Sequence, residues 1–578
     1  MNIHGSFTRI VAGCLLGGLA LATAAATEVP NFALLDDHGK AHELHHADAR
    51  AVVLFFTGVG CPVARKNAGK LLEMKQRFGK DLEVWMVYSD GQDDREVISK
   101  EAQELGVSDL PALLDNRQAL ALALGVQRTA EVIALDTKDW SVFYRGEIDD
   151  QLAEGAEKPA ATQTYLQTAL EQQFAGQPIA TPKTAARGCL ITYEKVAGAD
   201  DVVSYNKQVA PILRQKCAHC HRDGDIGPFA FSSYRTAKRK AHMIEEVLLT
   251  QRMPPWHADP HFGKFAEIPT LTTEETQTVI RWINQGAPAD EGADPLTVAA
   301  EPAPDWPLGK PDYVIKLPHP EEVPATGVLK YRHIHIDSPV TEDCWLAATV
   351  VKPGNRAVLH HCIVFAKFEN SGRDLGGDGV KIAGWAPGRI PGRLPAGTGI
   401  FLGKNAKLDI ELHYTTNGEA TTDDTEIGLY LLKEKPPLAY KTGMALKLDF
   451  SIPPNSPEAQ TSATFRFDHN SIIYTFTPHM HMRGSWMNYE VYYPDGRHET
   501  LLSVPRYDFN WQTTYRLIEP LKVPAGTQIV CTGAFDNSTK NPWNPDPSKT
   551  VRWGEQSWDE MFIGYVGYAE LPNETAAN

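Results

Sequence analysis

Apolar and polar positions alternate differently in three stretches of the chain. Val52-Val53-Leu54-Phe55-Phe56 is an unbroken apolar run, as expected of a strand covered on both faces. Thr57 to Cys61 turns the chain, Ala64 to Phe78 has helical periodicity, and Leu82 to Tyr88 forms a second apolar run. Val132–Leu135 and Ser141–Tyr144 predict a late hairpin, so residues 28–180 read as an α/β unit. Residues 200–290 instead predict short helices, at Tyr205–Leu213, Tyr234–Leu249 and Thr273–Gln285. The last of these opens with Thr273-Glu274-Glu275 and closes at Gly286. From residue 305 onward the period is two. In Lys407–Tyr414, Leu408, Ile410 and Leu412 face one way and Asp409, Glu411 and His413 the other, which predicts antiparallel sheets with one apolar face each. Pro353-Gly354-Asn355 and Pro494-Asp495-Gly496 supply turns between such strands.

A chain of 578 residues is too long for one core. Two linkers are expected, one beginning at Gly176–Pro182 and one over about Gly286–Pro311, rich in Ala, Pro and acidic residues. Apolar content of 42% and charged content of 22% are ordinary for a globular protein. A net charge of −16 argues against nucleic acid and against an anionic membrane surface as partners. Residues 1–26 carry Arg9 as their sole charge and are apolar or small from Ile10 to Ala26, the pattern of a secretory signal. Periplasmic or secreted location is therefore expected, with no membrane span after cleavage, because no later run is apolar enough.

Export gives meaning to Cys217-Ala218-His219-Cys220-His221. Cys-x-x-Cys-His is the c-type haem attachment pattern: two thiols bond the vinyl groups and His221 binds the iron. No second Cys-x-x-Cys exists to complete a zinc site. Met253, in Arg252-Met253-Pro254-Pro255-Trp256-His257, is the candidate sixth ligand, with His257 as its competitor; thioether and imidazole together raise a haem potential. The segment resembles a small class I cytochrome c domain, with Met253 at the axial position. Of eight cysteines, setting aside Cys14, Cys217 and Cys220 leaves Cys61, Cys189, Cys344, Cys362 and Cys531, an odd set with at least one unpaired thiol.

Phe56-Thr57-Gly58-Val59-Gly60-Cys61-Pro62-Val63-Ala64 and Tyr144-Arg145-Gly146-Glu147-Ile148-Asp149-Asp150 resemble the redoxin families related to peroxiredoxins and thioredoxins, and imply a thioredoxin-like fold for 28–180. Cys61 at a helix N-terminus is a candidate redox thiol, since the dipole favours its thiolate. Three positions depart from a working redoxin: Ala64 replaces a second Cys, Gly58 stands where a peroxiredoxin has Thr, and Ala130 stands where a cis-proline is usual. Cys189 is an alternative partner for Cys61.

Histidines gather at three places in the last part: His360-His361, His413, and His479 and His481 flanking Met480. His-x-His on a strand directs both rings to one face. Adjacent histidines point oppositely unless a bulge turns the backbone. Together these motifs resemble the copper type II, ascorbate-dependent monooxygenases, such as peptidylglycine α-hydroxylating monooxygenase. The resemblance implies two linked β-sandwiches, here 305–435 and 436–575, and two separated copper ions. It assigns His360, His361 and His413 to an electron-transfer copper, and His479, His481 and Met561 of Asp559-Glu560-Met561 to an oxygen-binding copper. Cys531 matches a family disulfide position, but Phe562 follows Met561, so that bridge is expected to be absent; Cys344 is a candidate partner for Cys362.

The whole reads as an exported copper-dependent monooxygenase. It would act on a small-molecule or peptide substrate with O2, with two copper ions and one covalent haem c fed by an external electron donor. The competing readings are a periplasmic electron-transfer or copper-binding protein without oxygenase activity, and a thiol redox protein acting through Cys61.

Overall fold

The computed structural model describes residues 28–153, 156–193, 202–266, 269–298, 304–369, 371, 379–389 and 391–572. The expected signal segment, 1–26, lies outside them. Among the described residues no helix is long and apolar enough to cross a membrane.

The Ala51–Thr57 strand is buried at every position because it is the centre of a five-stranded sheet. Its order is Ala112–Leu114, Leu82–Tyr88, Ala51–Thr57, Glu131–Asp136, Val142–Gly146; the first three run parallel and the last two form the expected hairpin. The helices Pro62–Phe78 and Tyr165–Phe174 pack their apolar stripes on one face of this sheet, as in a thioredoxin-like domain. The domain does not end at 180. Residues 181–193 return as a strap: Thr184 bonds the Arg145 backbone, Thr129 N–H donates to Cys189 O (2.9 Å), and Ile191 N–H donates to Gln127 O (3.0 Å).

Residues 202–298 are helical. The expected Tyr205–Leu213 helix is two pieces, a wide π turn at Tyr205–Val209 and an α-helix at Ala210–Lys216. Pro211 explains the break, because it lacks an N–H and its ring crowds the preceding turn. Tyr234–Leu249 likewise divides at Lys240 into Tyr234–Arg239 and Ala241–Leu249. Thr273–Asn284 is the best-formed helix of this unit, opened by a capping box between Thr272 and Glu275. It serves two cores: Ile280 packs into the first domain, whereas Val279, Trp282 and Ile283 pack with Tyr205 and Leu213. The expected second linker is partly tied down, since Asp290 accepts from Asn206 N–H (2.7 Å) and Tyr205 Oη donates to Asp294 (3.2 Å).

The last part is antiparallel β-structure in two sandwiches with a shared layer. One eight-stranded sheet runs Tyr313–Lys316, Glu426–Leu431, Cys344–Lys352, Thr398–Leu402, Leu438–Lys447, Phe562–Glu570, Ser471–His479, Tyr515–Val523. A parallel pairing of Thr398 with Leu438 and Gly399 with Ala439 joins its two halves. On it sit two four-stranded sheets. The first is Arg332–Asp337, Lys407–Tyr414, Leu359–Lys367, Val380–Trp385; the second is Ala459–Arg466, Gln528–Phe535, Gly484–Tyr492, His498–Val504. Alternation explains the first core: Leu408, Ile410 and Leu412 point into it. Ion pairs Arg356–Asp225 (3.0 Å), Arg95–Asp259 (2.9 Å) and Arg506–Glu43 (2.9 Å) stitch the three parts together.

Because Ile280 is fully buried between two units, Ile280→Ala is expected to cost roughly 2–5 kcal/mol. Calorimetry of the full chain should show the transitions of the first and middle units separating; a single unshifted transition would contradict the shared-helix packing.

Candidate functional site

The strand Leu359–Lys367 pairs with Lys407–Tyr414 so that His361 faces His413, and a β-bulge between Leu359 and His361 makes His360 the extra residue. The bulge swings His360 to the side of its neighbour, which a regular strand forbids. The Nδ1 atoms of His360 and His361 are 3.3 Å apart, as are those of His413 and His360. One ligand atom from each of the three lies within 4.8 Å of the others, the geometry of a site that can hold a metal ion. All three are buried. Burial pushes His360 down to about 4, and His361 and His413 further, so the cluster is neutral and presents lone pairs. Ser557 Oγ bonds His413 Nε2 (3.2 Å), and Glu411 Oε1 lies 3.7 Å from His361 Nε2.

His479 ends the Ser471–His479 strand, and His481 follows two residues on, their ring centroids 5.4 Å apart. His479 Nδ1 pairs with Gln512 Oε1 (2.9 Å), and burial lowers the imidazole to about 4. Glu560 fixes the turn after the strand: its carboxyl accepts from the backbone N–H of His481 (2.8 Å) and Arg483 (2.6 Å), and burial raises it to about 8. The strand pairing ends with His479 against Ile563, two residues after Met561, and does not extend to His481. The Nε2 atoms of His481 and His360 are buried without a hydrogen-bond partner, an arrangement that a bound cation would satisfy.

The two histidine groups come from different sandwiches yet share neighbours. Tyr331 contacts His361, His413 and His481 at centroid distances of 5.1, 4.5 and 6.4 Å. Phe509 stacks on His360 at 4.8 Å and lies 5.7 Å from His481. Two rings therefore stand between groups that the sequence reading sets well apart. Tyr331, Phe509, Gln512 and Glu411 share no sequence motif, because they come from three separate segments: the approach to Arg332–Asp337, the loop before Tyr515–Val523, and the Lys407–Tyr414 strand. The alternation Tyr331-Arg332-His333-Ile334-His335 was the available signal.

In the middle unit, Cys220 and His221 N–H groups both donate to Cys217 O, winding the motif into a helical turn. His221 Nδ1 bonds Phe229 O (3.1 Å), leaving Nε2 for a ligand, and Phe229 and Phe231 pack against the ring and against each other. A Cβ on Gly227 would stand 2.7 Å from that Nδ1, so glycine is required beneath the ring. Burial raises the Cys217 thiol to about 12 and Cys220 to about 11; neither is bridged. Met253 is half-buried at the end of Ala241–Leu249, its N–H on Val247 O (3.2 Å). His257 lies beside Asp508 and Arg506 of the second sandwich, and burial takes it down to about 4. A cavity of about 450 Å³ spans the units; Cys220, Trp256, His361, His479, Arg389 and Tyr565 are among its lining.

Cys61 caps the Pro62–Phe78 helix, buried, and its Sγ lies 3.4 Å from Cys189 Sγ on the returning strap. Burial raises its pKa, but hydrogen bonds from Thr129 Oγ1 (3.0 Å), from the Cys189 and Ala64 backbone and from the Cys189 thiol outweigh this, and the net direction is down. Gly188 lets the strap approach: a Cβ there would fall 1.9 Å from Thr129 O. The candidate pair of Cys344 and Cys362 is not formed; both thiols are free. Cys531 is also free and buried, its sulfur over Gly564, where a Cβ would meet it at 2.2 Å.

Residues 25–146 match the AhpC/TSA family, so the first domain is a redoxin-type domain. No curated protein matches the chain. Similar solved structures include a hypothetical protein from Sinorhizobium meliloti 1021, 24% identical over 29% of this chain and 93% of that one, TM-score 0.27. Others are the thioredoxin domain of a thiol-disulfide oxidoreductase from Bacteroides vulgatus (17%, 26% and 96%, 0.21) and an exposed lipoprotein thioredoxin from Streptococcus pneumoniae strain TIGR4 (21%, 24% and 98%, 0.21).

Two outcomes are expected. The imidazoles of His360 and His479 have folded pKa values near 4, below the unfolded value near 6.5. The unfolded chain takes up protons first, so metal-free protein is fully stabilised above pH 6.5 and loses stability toward pH 4, by roughly 3 kcal/mol per such group. Urea midpoints across that range measure it; a flat profile would contradict neutral burial. In the Cys189→Ser background, Thr129→Val should slow alkylation of Cys61 at neutral pH several-fold, because the thiolate loses its strongest hydrogen bond.

Proposed function

We propose that this protein is an exported copper-dependent monooxygenase whose reducing electrons pass through a c-type haem. The observation that carries this reading is the convergence of His360, His361 and His413, buried and neutral, with His479 and His481 across two shared aromatic rings. Imidazole sets of this kind suit copper, and a thioether such as Met561 favours its cuprous form. Copper held there, and haem held by Cys217, Cys220 and His221 with Met253 as axial candidate, would supply one-electron chemistry with dioxygen. The overall conversion is R–H + O2 + 2 e⁻ + 2 H⁺ → R–OH + H2O, with an external reductant feeding the haem. In this reading the chain's own groups prepare the reaction. Gln512 and Glu560 hold His479 and His481 in place, Ser557 and Glu411 orient His413 and His361, and Tyr331 and Phe509 keep bulk water from the rings. The cavity reaching from Cys220 to His361 and His479 gives substrate and reductant a common space.

A second reading is favoured by the Cys61–Cys189 approach. In it the redoxin domain cycles between dithiol and disulfide, two electrons and two protons leaving as the S–S bond forms. It fits the first domain alone and is compatible with the first reading.

Full-length protein reconstituted with copper should consume O2 with reductant. His413→Ala and His479→Ala should each lower copper content and reduce oxygen uptake by 10²-fold or more. Undiminished uptake in His479→Ala would remove the oxygenase; loss of uptake on alkylating Cys61 instead would move the activity to the thiol.

A further inference from the structure

The buried histidine trio is connected to the surface by a row of polar side chains on one sheet face. The Arg332–Asp337 strand is the edge of its four-stranded sheet and pairs His333 with Glu411 and His335 with Asp409. The next pairing sets Ile363 beside Glu411 and His361 beside His413. Directly paired residues share a face, so His335, Asp409, His333, Glu411, His361 and His413 form one row. Neighbouring atoms along it are close. Asp409 Oδ1 is 3.6 Å from His335 Nδ1 and 3.1 Å from His333 Nδ1; Glu411 is 3.9 Å from His333 Nε2 and 3.7 Å from His361 Nε2. Side-chain exposure falls along the row, from 73% at His335 to 38% at His333, 13% at Glu411 and 3% at His361. On the opposite face Leu408, Ile410 and Leu412 are core, offering a cation nothing.

A cation bound for the trio must shed water before it arrives, and an apolar layer would make that costly. Ligands spaced under 4 Å replace the hydration shell stepwise. We propose that His333, His335 and Asp409 form a surface capture site for divalent copper, and that Glu411 passes the ion inward to His361. Imidazole with carboxylate is a donor set that copper(II) accepts. The capture site is open: the His333 and His335 ring planes are inclined by 25° with centroids 6.5 Å apart, so one must rotate to share an ion. That suits transient binding, and exposure leaves the rotation free. Lys407 engages Asp337 at the outer rim, leaving Asp409 to the histidines. The cavity that also touches His361 is the competing path.

The inference rests on the trio holding copper, and the test separates the two. Metal-free full-length protein is mixed with copper(II), and growth of the trio's signal is followed by freeze-quench electron paramagnetic resonance, with final stoichiometry by elemental analysis. His333→Ala/His335→Ala is expected to load roughly tenfold more slowly to the same final copper content; the unchanged endpoint also certifies folding. His335→Lys alone, which sets a cation at the mouth, should slow loading as well. Wild-type loading rates in both variants would overturn the capture site and assign loading to the cavity. If wild type binds no copper, or His413→Ala binds as much, the trio reading itself fails and the relay with it.

Discussion

The two sandwiches share one sheet through a pairing only two residues long. Thr398 and Gly399 run parallel to Leu438 and Ala439, and this short ladder makes one eight-stranded sheet of what are otherwise two domains. Gly399 sits close to its surroundings there, a Cβ lying 2.7 Å from Leu432 Cδ1 and 3.2 Å from Leu346 O. That ladder, with Ser557 of the second sandwich bonded to His413 of the first, sets His360, His361 and His413 beside His479 and His481. Tyr331 and Phe509 fill the space between.

Burying five imidazoles has an electrostatic consequence. In water each would be near half-protonated at slightly acidic pH; desolvation and mutual repulsion hold them neutral. Neutral rings are acceptors, and two of them keep a buried nitrogen unpartnered. The surrounding groups do not neutralise a charge but aim the rings: an amide at His479, a hydroxyl at His413, a carboxyl at His361.

The first domain holds a separate chemistry by different means. Cys61 draws on a helix N-terminus and on the Thr129 hydroxyl, and Cys189 approaches it on the strap of residues 181–193. Thr273–Asn284 packs between these two units, so the thiol end and the middle unit share one structural element. Ala64 stands where a second helix-borne cysteine would be, and the strap brings Cys189 Sγ to 3.4 Å from Cys61 Sγ.

Local chemistry was readable from residue order. The apolar run at Val52–Phe56, the alternation of Lys407–Tyr414 and the acidic opening Thr273-Glu274-Glu275 each express a short-range preference, and each appears as an element. Candidate ligands were visible as types: Cys-x-x-Cys-His, a His pair, a His-x-His. Their convergence was not. The bulge at His360, the strap past residue 180, the aromatic wall of Tyr331 and Phe509, and the polar row from His335 to His361 all depend on strand register and on contacts between residues more than fifty positions apart. Sequence periodicity sets which face a side chain takes; only the folded packing of sheets decides what that face meets.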